Sequence, residues 1–586
     1  MPRVVVAAAV LLALVVPAAA SATDRFVSTS GNDMAGANDC TSAAPACVTL
    51  MRAVTAANLT GDTIHIGPGT FAGGINTAKK LTFQGAGSGT LASAAGATVI
   101  DGSPNQVITM SNGGVLQDIR AIGGATANTT ALVFDIPAPG APVDYTLTRV
   151  VAFGGNCDSC RALEVRDQSL GLPDPAALTA HVSSSTIVGT GGSGSSVFIQ
   201  SANADFSGSS IVQQGNPGGA LLMELGTLVF SDGTLGTPGL TSSSEVAVGG
   251  HATFTRTRFA GNDGLRLDGL MLPVDVTLVD SLAVGSSFGM EVLNGSTATI
   301  RNSTVAAEGP TAQAAVSVQG SGADSTVTSS GSILRATAPG AHFDVQLAQG
   351  GGHSATFVAD HSAYSSVDTS GGGTATPAGS GTNVAADPGF VNEAGGDFHL
   401  PLSSPLIERG GAATPGETDL DGGARSVDGN CDGTAVPDIG AFELARSCPA
   451  ATGAGAAPVL SKVRMTHRRF RVGTPAAART PKGTRFIYTL SEAAKVTITI
   501  ERRAVGAKKG RRCVKPKRGL HGRCIRFVRQ GALSKPSAKG ANSLPFSGKI
   551  GRRTLRPGRY RARLVAVDGS GARSKERRLN FTVVTR

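Results

Sequence analysis

Apolar and small polar residues follow one recurring phrase along the middle of the chain: a β-type run, a small polar turn, then a second short apolar run. It reads Val182-Ser-Ser-Ser-Thr-Ile187, Phe206-Ser-Gly-Ser-Ser-Ile211 and Phe230-Ser-Asp-Gly-Thr-Leu235. It returns as Phe254-Thr-Arg-Thr-Arg-Phe259, Leu278-Val-Asp-Ser-Leu282, Ile300-Arg-Asn-Ser-Thr-Val305 and Val327-Thr-Ser-Ser-Gly-Ser-Ile333, so its closing apolar residues fall at 187, 211, 235, 259, 282, 305 and 333. No stripe at helical spacing accompanies it. A unit of about 24 residues cannot bury its own apolar face, so successive coils must stack, with equivalent positions about 4.8 Å apart. On that reasoning residues 60–400 make about fourteen coils. A sandwich array needs a unit of about 100 residues and a propeller one of about 40 or more. The expected fold is all-β, a right-handed parallel β-helix.

Composition fits this pattern. The chain has 79 Gly, no Trp and 4% aromatic residues, which suits short strands and tight turns. Residues 1–22 read as a signal peptide: Arg3 precedes the apolar run Val4–Val16, and Ala20-Ser21-Ala22 offers a small-x-small cleavage site. That run is too short to span a bilayer comfortably, and no later segment is long and apolar enough to do so. An extracellular or cell-surface protein is expected, with no transmembrane segment in the mature chain. Each of the eight cysteines has a near neighbour: Cys40/Cys47, Cys157/Cys160, Cys431/Cys448 and Cys513/Cys524. In an exported chain this favours four local disulfides, although Cys157-Asp-Ser-Cys160 also has a metal-like or redox-like spacing.

Charge divides the chain in two. Residues 451–586 hold 35 Lys and Arg against 4 Asp and Glu, a net of +31; the rest holds 17 against 37, a net of −20, and the two sum to the overall +11. Residues 23–445 are therefore read as the β-helix with its cap and tail, 446–460 as a linker, and 461–586 as a separate basic domain. There Val496, Ile498 and Ile500 share one strand face, as do Tyr560, Ala562, Leu564 and Ala566. About seven such runs predict a small antiparallel immunoglobulin-like β-sandwich. A basic loop, Arg502 to Arg529, is expected between strands, pinned by Cys513 and Cys524. Arg511, Arg512, Lys515, Lys517 and Arg518 of this loop, with Arg559, Arg561 and Arg563 as a positive outer row on the Tyr560–Val567 strand, are the candidate polyanion-binding residues, and an anionic cell-wall polymer or polysaccharide is the expected partner. Aromatic interleaving is absent, which argues against sequence-specific nucleic-acid recognition. A monomer is expected.

Particular segments carry resemblances. Arg25-Phe-Val-Ser-Thr-Ser-Gly-Asn-Asp33, followed by Gly61-Asp-Thr-Ile-His-Ile-Gly-Pro-Gly-Thr-Phe71, resembles the opening of pectin-lyase-like β-helix proteins. Leu81-Thr-Phe-Gln-Gly-Ala-Gly87 and Thr98-Val-Ile-Asp-Gly102 match the next coils of that pattern. Between them Leu50–Leu59 reads as a short helix, with Met51, Ala53, Val54 and Ala57 on its apolar side; in that family such a helix caps the open end of the stack. Asp387-Pro-Gly-Phe390, Asp397-Phe-His-Leu400, Ser404-Pro-Leu-Ile407 and Asp419-Leu-Asp-Gly-Gly-Ala-Arg425 through Asp438-Ile-Gly-Ala-Phe-Glu443 resemble the choice-of-anchor tail of exported bacterial β-helix proteins. That resemblance implies surface association and a tail closing the far end of the stack. Pro557-Gly-Arg-Tyr560 and Asp568-Gly-Ser-Gly571 resemble late strands of bacterial immunoglobulin-like modules.

The pectin-lyase-like resemblance implies chemistry on acidic polysaccharides, which would need one of two residue sets. Neither a calcium-binding carboxylate cluster with a basic residue nor a triple-Asp set with His-Gly and Arg-x-Lys stands in residues 24–400. Asp263, Arg266 and Asp268 form the nearest acid-base cluster. Gly250-His251 lacks its companions, and His353, Asp360 and His361 match no ligand spacing. No catalytic or cofactor-binding residue is assigned. Asp428-Gly-Asn-Cys-Asp-Gly433 matches the first half of an EF-hand loop, making Asp428, Asn430 and Asp432 candidates for structural calcium; Ile439 stands where the bidentate Glu belongs. Asx-turns are the alternative role for these side chains. The expectation is a non-catalytic surface protein, with a polysaccharide lyase or glycoside hydrolase working along the β-helix flank as the alternative.

Overall fold

The computed structural model describes residues 22–585 except 35–37, 137–141, 158, 169–174, 191–193, 215–218, 238–245, 270, 271, 273, 338–341, 447–456, 474–479 and 570. The expected signal peptide, except Ala22, and most of the expected linker lie outside the described residues. The chain forms two compact units, Met1–Arg446 and Ser447–Arg586.

The first unit is a three-sided right-handed parallel β-helix. Its first face is one ladder of fourteen described strands, from Asp24–Val27 and Thr60–Ile66 through Asn203–Ser207 to Thr374–Ala375, each paired in parallel with the next. The second face runs from Gly69–Ala72 to Ile333–Thr337, and the third from Ile75–Thr77 to Val367–Gly371. Inward residues stack in columns. Val182, Phe206, Phe230, Phe254, Leu278 and Ile300 are successive register partners, and the Phe206 and Phe230 rings stack at 5.4 Å.

The polar turn of the repeat builds two further columns. Its first residue takes a left-handed backbone in coil after coil: Asp118, Arg149, Ser184, Asp232, Arg256, Asp280, Asn302 and His361, with Gly208 and Gly331 where no side chain is carried. Asp, Asn and Gly tolerate that conformation best. The next residue is most often a buried serine whose hydroxyl accepts the amide of the coil before it. Examples are Ser185 from Val150, Ser209 from Ser185, Ser303 from Ser281 and Ser332 from Ser303, at 3.0–3.1 Å. These hydroxyls satisfy backbone donors that the turn withdraws from water.

Two sequence expectations shift. The second-face register places Ile187, Ile211, Leu235, Phe259, Ala283, Val305 and Leu334 over one another. Leu282 and Ile333, expected as inward anchors, face outward. They are buried because the segment 384–445 runs back along this flank: Phe398, Leu420 and Phe442 cover Leu282, and Leu400, Leu406 and Ile439 cover Ile333. The tail thus lies along the side of the stack, where it was expected to close the end. The cap helix is Leu50–Ala56, with the Thr49 hydroxyl accepting from the Arg52 amide. Leu50, Ala53 and Val54 face the core, whereas Met51 is 48% exposed.

In the second unit, Leu460–Met465, Thr484–Leu490 and Gly540–Phe546 form one antiparallel sheet. Gly558–Val567, flanked by Arg577–Val584 and Ala494–Lys509, centres another. Phe486 and Tyr488 from the first sheet and Val496, Ile498, Leu564 and Phe581 from the second share one core. The expected basic loop is strand over most of its length, and only 515–522 remain a loop between Arg512–Val514 and Arg523–Ser537. Ala494–Lys509 and Arg523–Ser537 pair as one long hairpin, because alternation and the Cys513–Cys524 disulfide carry the ladder past Arg502.

Candidate functional site

The left-handed turn column brings charges of neighbouring coils to one strand spacing, and they pair. Arg149 meets Asp118 and Arg256 meets Asp232, both at 2.6 Å. Where the tail crosses this column an open groove of about 330 Å³ forms, lined by Ser209, Ser210, Asp232, Thr234, Arg256, Arg258 and Asp421. Arg258 reaches Asp421 at 3.1 Å. His399 bonds Asp397 through Nδ1 at 2.6 Å and Asp421 through Nε2 at 2.8 Å. Burial disfavours its charged form, but the bonds to the two carboxylates outweigh burial and hold its pKa above the ordinary histidine value. His399 is thus wedged between two aspartates.

Beneath the groove Arg425 is fully buried, with Asp280 at 3.5 Å and Glu443 at 3.4 Å. Burial raises Asp280 to about 6 and Glu443 to about 9, and Arg425 only partly offsets this. Neighbouring Arg301 pairs with Glu417. These contacts clamp the tail to the flank.

The other residues singled out in the sequence fall in separate places. Arg266 meets Asp268 at 3.4 Å and Glu291 of the next rung at 3.2 Å, so this cluster is an ion-pair column on the third face. His251 pairs with Asp275 across one rung. His353 and Asp360 flank opposite ends of the strand Ala355–Asp360; His353 pairs with Asp324 and His361 with Asp360, so the three do not share a ligand. Cys40–Cys47, Cys157–Cys160 and Cys513–Cys524 are disulfides. The fourth expected pair includes Cys448, outside the described residues.

In the EF-hand-like loop, Asp428 accepts the Asp432 and Gly433 amides at 3.0 and 2.9 Å. Asn430 Oδ1 accepts the Asp432 amide at 2.8 Å, and Ile439 is buried in the core. Carboxylate oxygens of Asp428, Asp432 and Glu408 lie within 4.8 Å of one another. Sequence reasoning missed Glu408, since only the fold brings it to the loop.

In the basic unit, Arg511, Arg512, Lys515, Lys517 and Arg518 are exposed at the hairpin tip, and Arg559 is exposed on its strand. Arg561 and Arg563 do not stand as a bare positive row: Arg561 binds Glu501 at 2.6 Å and Arg563 Nε binds Glu576 at 2.6 Å. From 503 to 527 the arm holds ten Lys and Arg and no Asp or Glu.

No protein-family model matches the chain, and no curated protein matches it. Among solved structures, a crystal structure of a pectate lyase is similar at 14% identity and a TM-score of 0.39, over 72% of this chain and 97% of that one. The A-module of a mannuronan C-5 epimerase from Azotobacter vinelandii is similar at 13% identity and a TM-score of 0.27, over 56% of this chain and 91% of that one. Likeness this distant does not carry either protein's activity to this chain.

Proposed function

We propose that this is an exported surface-association protein: a β-helix joined to an immunoglobulin-like basic module that holds it to a polyanionic surface, with a choice-of-anchor-like tail bracing the helix flank. The carrying observation is the disulfide-pinned hairpin whose segment 503–527 bears ten cations and no acid. Cations at this density attract a polyanion through long-range field and counterion release, without sequence or shape selection. The test is retention of the full chain on an immobilised anionic polysaccharide against a neutral one. Retention on the anionic matrix alone supports the reading, and equal retention or none refutes it.

A second reading has its own observation. Asp232, Arg256, Arg258 and Asp421 line one solvent-facing groove, and His399 bonds Asp421 at its edge, a set of charges on which an acidic polysaccharide lying along the flank would be held. In that reading the guanidiniums hold sugar hydroxyls or carboxylates, and a protonated His399 gives its proton to the leaving oxygen as the glycosidic C–O bond breaks, while water forms the new bond at the sugar carbon and its released proton restores the ring. New reducing ends released from acidic polysaccharides, and lost in His399→Gln, would establish it; no release across such a panel counts against it. Calcium on Asp428, Asp432 and Glu408, with Asn430 beside them, belongs to the proposal as a structural element of the tail.

A further inference from the structure

We propose that the hairpin arm of the basic unit docks on a bilayer rich in anionic phospholipid. This rests on the reading of the unit as a binder of anionic surfaces and names the surface. The carrying observation is a cross-strand pair, Val505 opposite Ile525, whose side chains are 59% and 51% exposed. Cross-strand partners share a face, and so do positions two apart along a strand. The same face therefore carries Phe527 opposite Arg503 one step inward, and Arg523 and Val514 on either side of Ala507 one step outward. Val514 and Phe527 are half-buried, while Arg503 and Arg523 are exposed. Lys509 opposite Arg512 completes a cationic rim around an aliphatic centre. The strand Gly558–Val567 pairs with this hairpin only as far as Arg502; its Arg561 guanidinium lies over the Phe527 ring at 3.7 Å, and Val505 and Ile525 beyond it stay exposed.

A hydrated acidic polysaccharide offers charge and hydroxyls but no apolar phase. Against it, two exposed β-branched side chains gain nothing and only invite aggregation. A bilayer supplies both partners: headgroup phosphates for the rim, and the acyl boundary for Val505 and Ile525. Long Lys and Arg stems lie along such a boundary while their heads stay in water. The Cys513–Cys524 bridge sets the arm in shape before contact, which lowers the ordering cost of docking.

The experiment uses the full chain with vesicles of phosphatidylcholine alone or mixed with phosphatidylglycerol, and soluble polygalacturonate in parallel. The expected result is co-sedimentation with the phosphatidylglycerol vesicles alone. Val505→Ser with Ile525→Ser, at exposed positions, is expected to weaken vesicle binding about tenfold or more and leave polygalacturonate binding unchanged. The chain has no Trp, so Val505→Trp gives a single reporter whose emission shifts to the blue on vesicles. Polygalacturonate binding without vesicle binding, vesicle binding unaffected by the Ser pair, or an unshifted reporter overturns the bilayer and leaves the anionic-surface reading standing. Binding to neither probe overturns both.

Discussion

Phe230 sits fully buried between Phe206 and Phe254 in an inward column. Phe230→Ala should cost about 3–5 kcal/mol, read as a lowered denaturation midpoint. Val229, its outward neighbour, is 44% exposed, and Val229→Thr should change stability by less than about 0.5 kcal/mol. The inward column was legible in the sequence as the Phe-Ser phrase. Leu282 and Ile333 were misassigned because an outward leucine covered by a distant segment has the same local pattern as an inward one. Arg425 was legible only as part of a tail pattern. Its role depends on Asp280, far away in sequence. Arg425→Met would leave Asp280 and Glu443 buried without their cation, and should cost about 3–5 kcal/mol and loosen the tail toward proteolysis.

The same cluster predicts a pH dependence. A carboxyl whose folded pKa exceeds its unfolded one keeps its proton longer in the fold, so stability falls as pH climbs from the unfolded value to the folded one. For Asp280 that window runs from 3.8 to about 6, and for Glu443 from 4.5 to about 9. The melting temperature should decline across the Glu443 window, and Glu443→Gln should flatten the decline above the folded values of Asp280, about 6, and Glu308, about 7. An unchanged slope in that variant would show that Glu443 is not the group responsible.

Elements were read more easily than their joints. The cap helix, the coils and the inward faces of Val496–Ile500 and Tyr560–Val567 follow from periodicity, which the folded chain keeps. The strands flanking 515–522 were misread as loop because Gly, Pro and dense charge crowd residues 506–522, and local composition carries no trace of the partner strand. Glu408 was missed for a similar reason. The D-x-N-x-D-G spacing marks one loop, whereas the third carboxylate arrives from a separate turn through tertiary packing. If this loop holds calcium, millimolar calcium should raise the melting temperature of the β-helix, with no such rise in Glu408→Gln or Asp428→Asn. A wild-type melting temperature indifferent to calcium would leave Asp428 as a turn cap alone. For the arm, replacing Cys513 and Cys524 by Ser should reduce affinity for anionic probes while the β-helix melts as before; unchanged affinity would mean that the bridge contributes nothing to presenting the cations.

At the scale of the whole molecule, the division of charge was the most legible functional feature, since it needs only counting. What counting misses is which cations are already engaged: Arg561 and Arg563 are held by Glu501 and Glu576, whereas segment 503–527 of the arm holds ten cations and no acid. The groove lay beyond sequence reading altogether, because its charged groups Asp232, Arg256, Arg258 and Asp421 come from two coils and a tail turn. The account therefore turns on the arm. The direct measurement is the affinity of the full chain for an anionic polysaccharide over a salt series, beside a variant with Arg511, Arg512, Lys515, Lys517 and Arg518 all changed to Glu. The account predicts a loss of about 10³-fold or more for the native chain between about 50 and about 200 mM salt, and little binding by the variant at any salt. Salt-independent affinity, or equal binding by the variant, would contradict it.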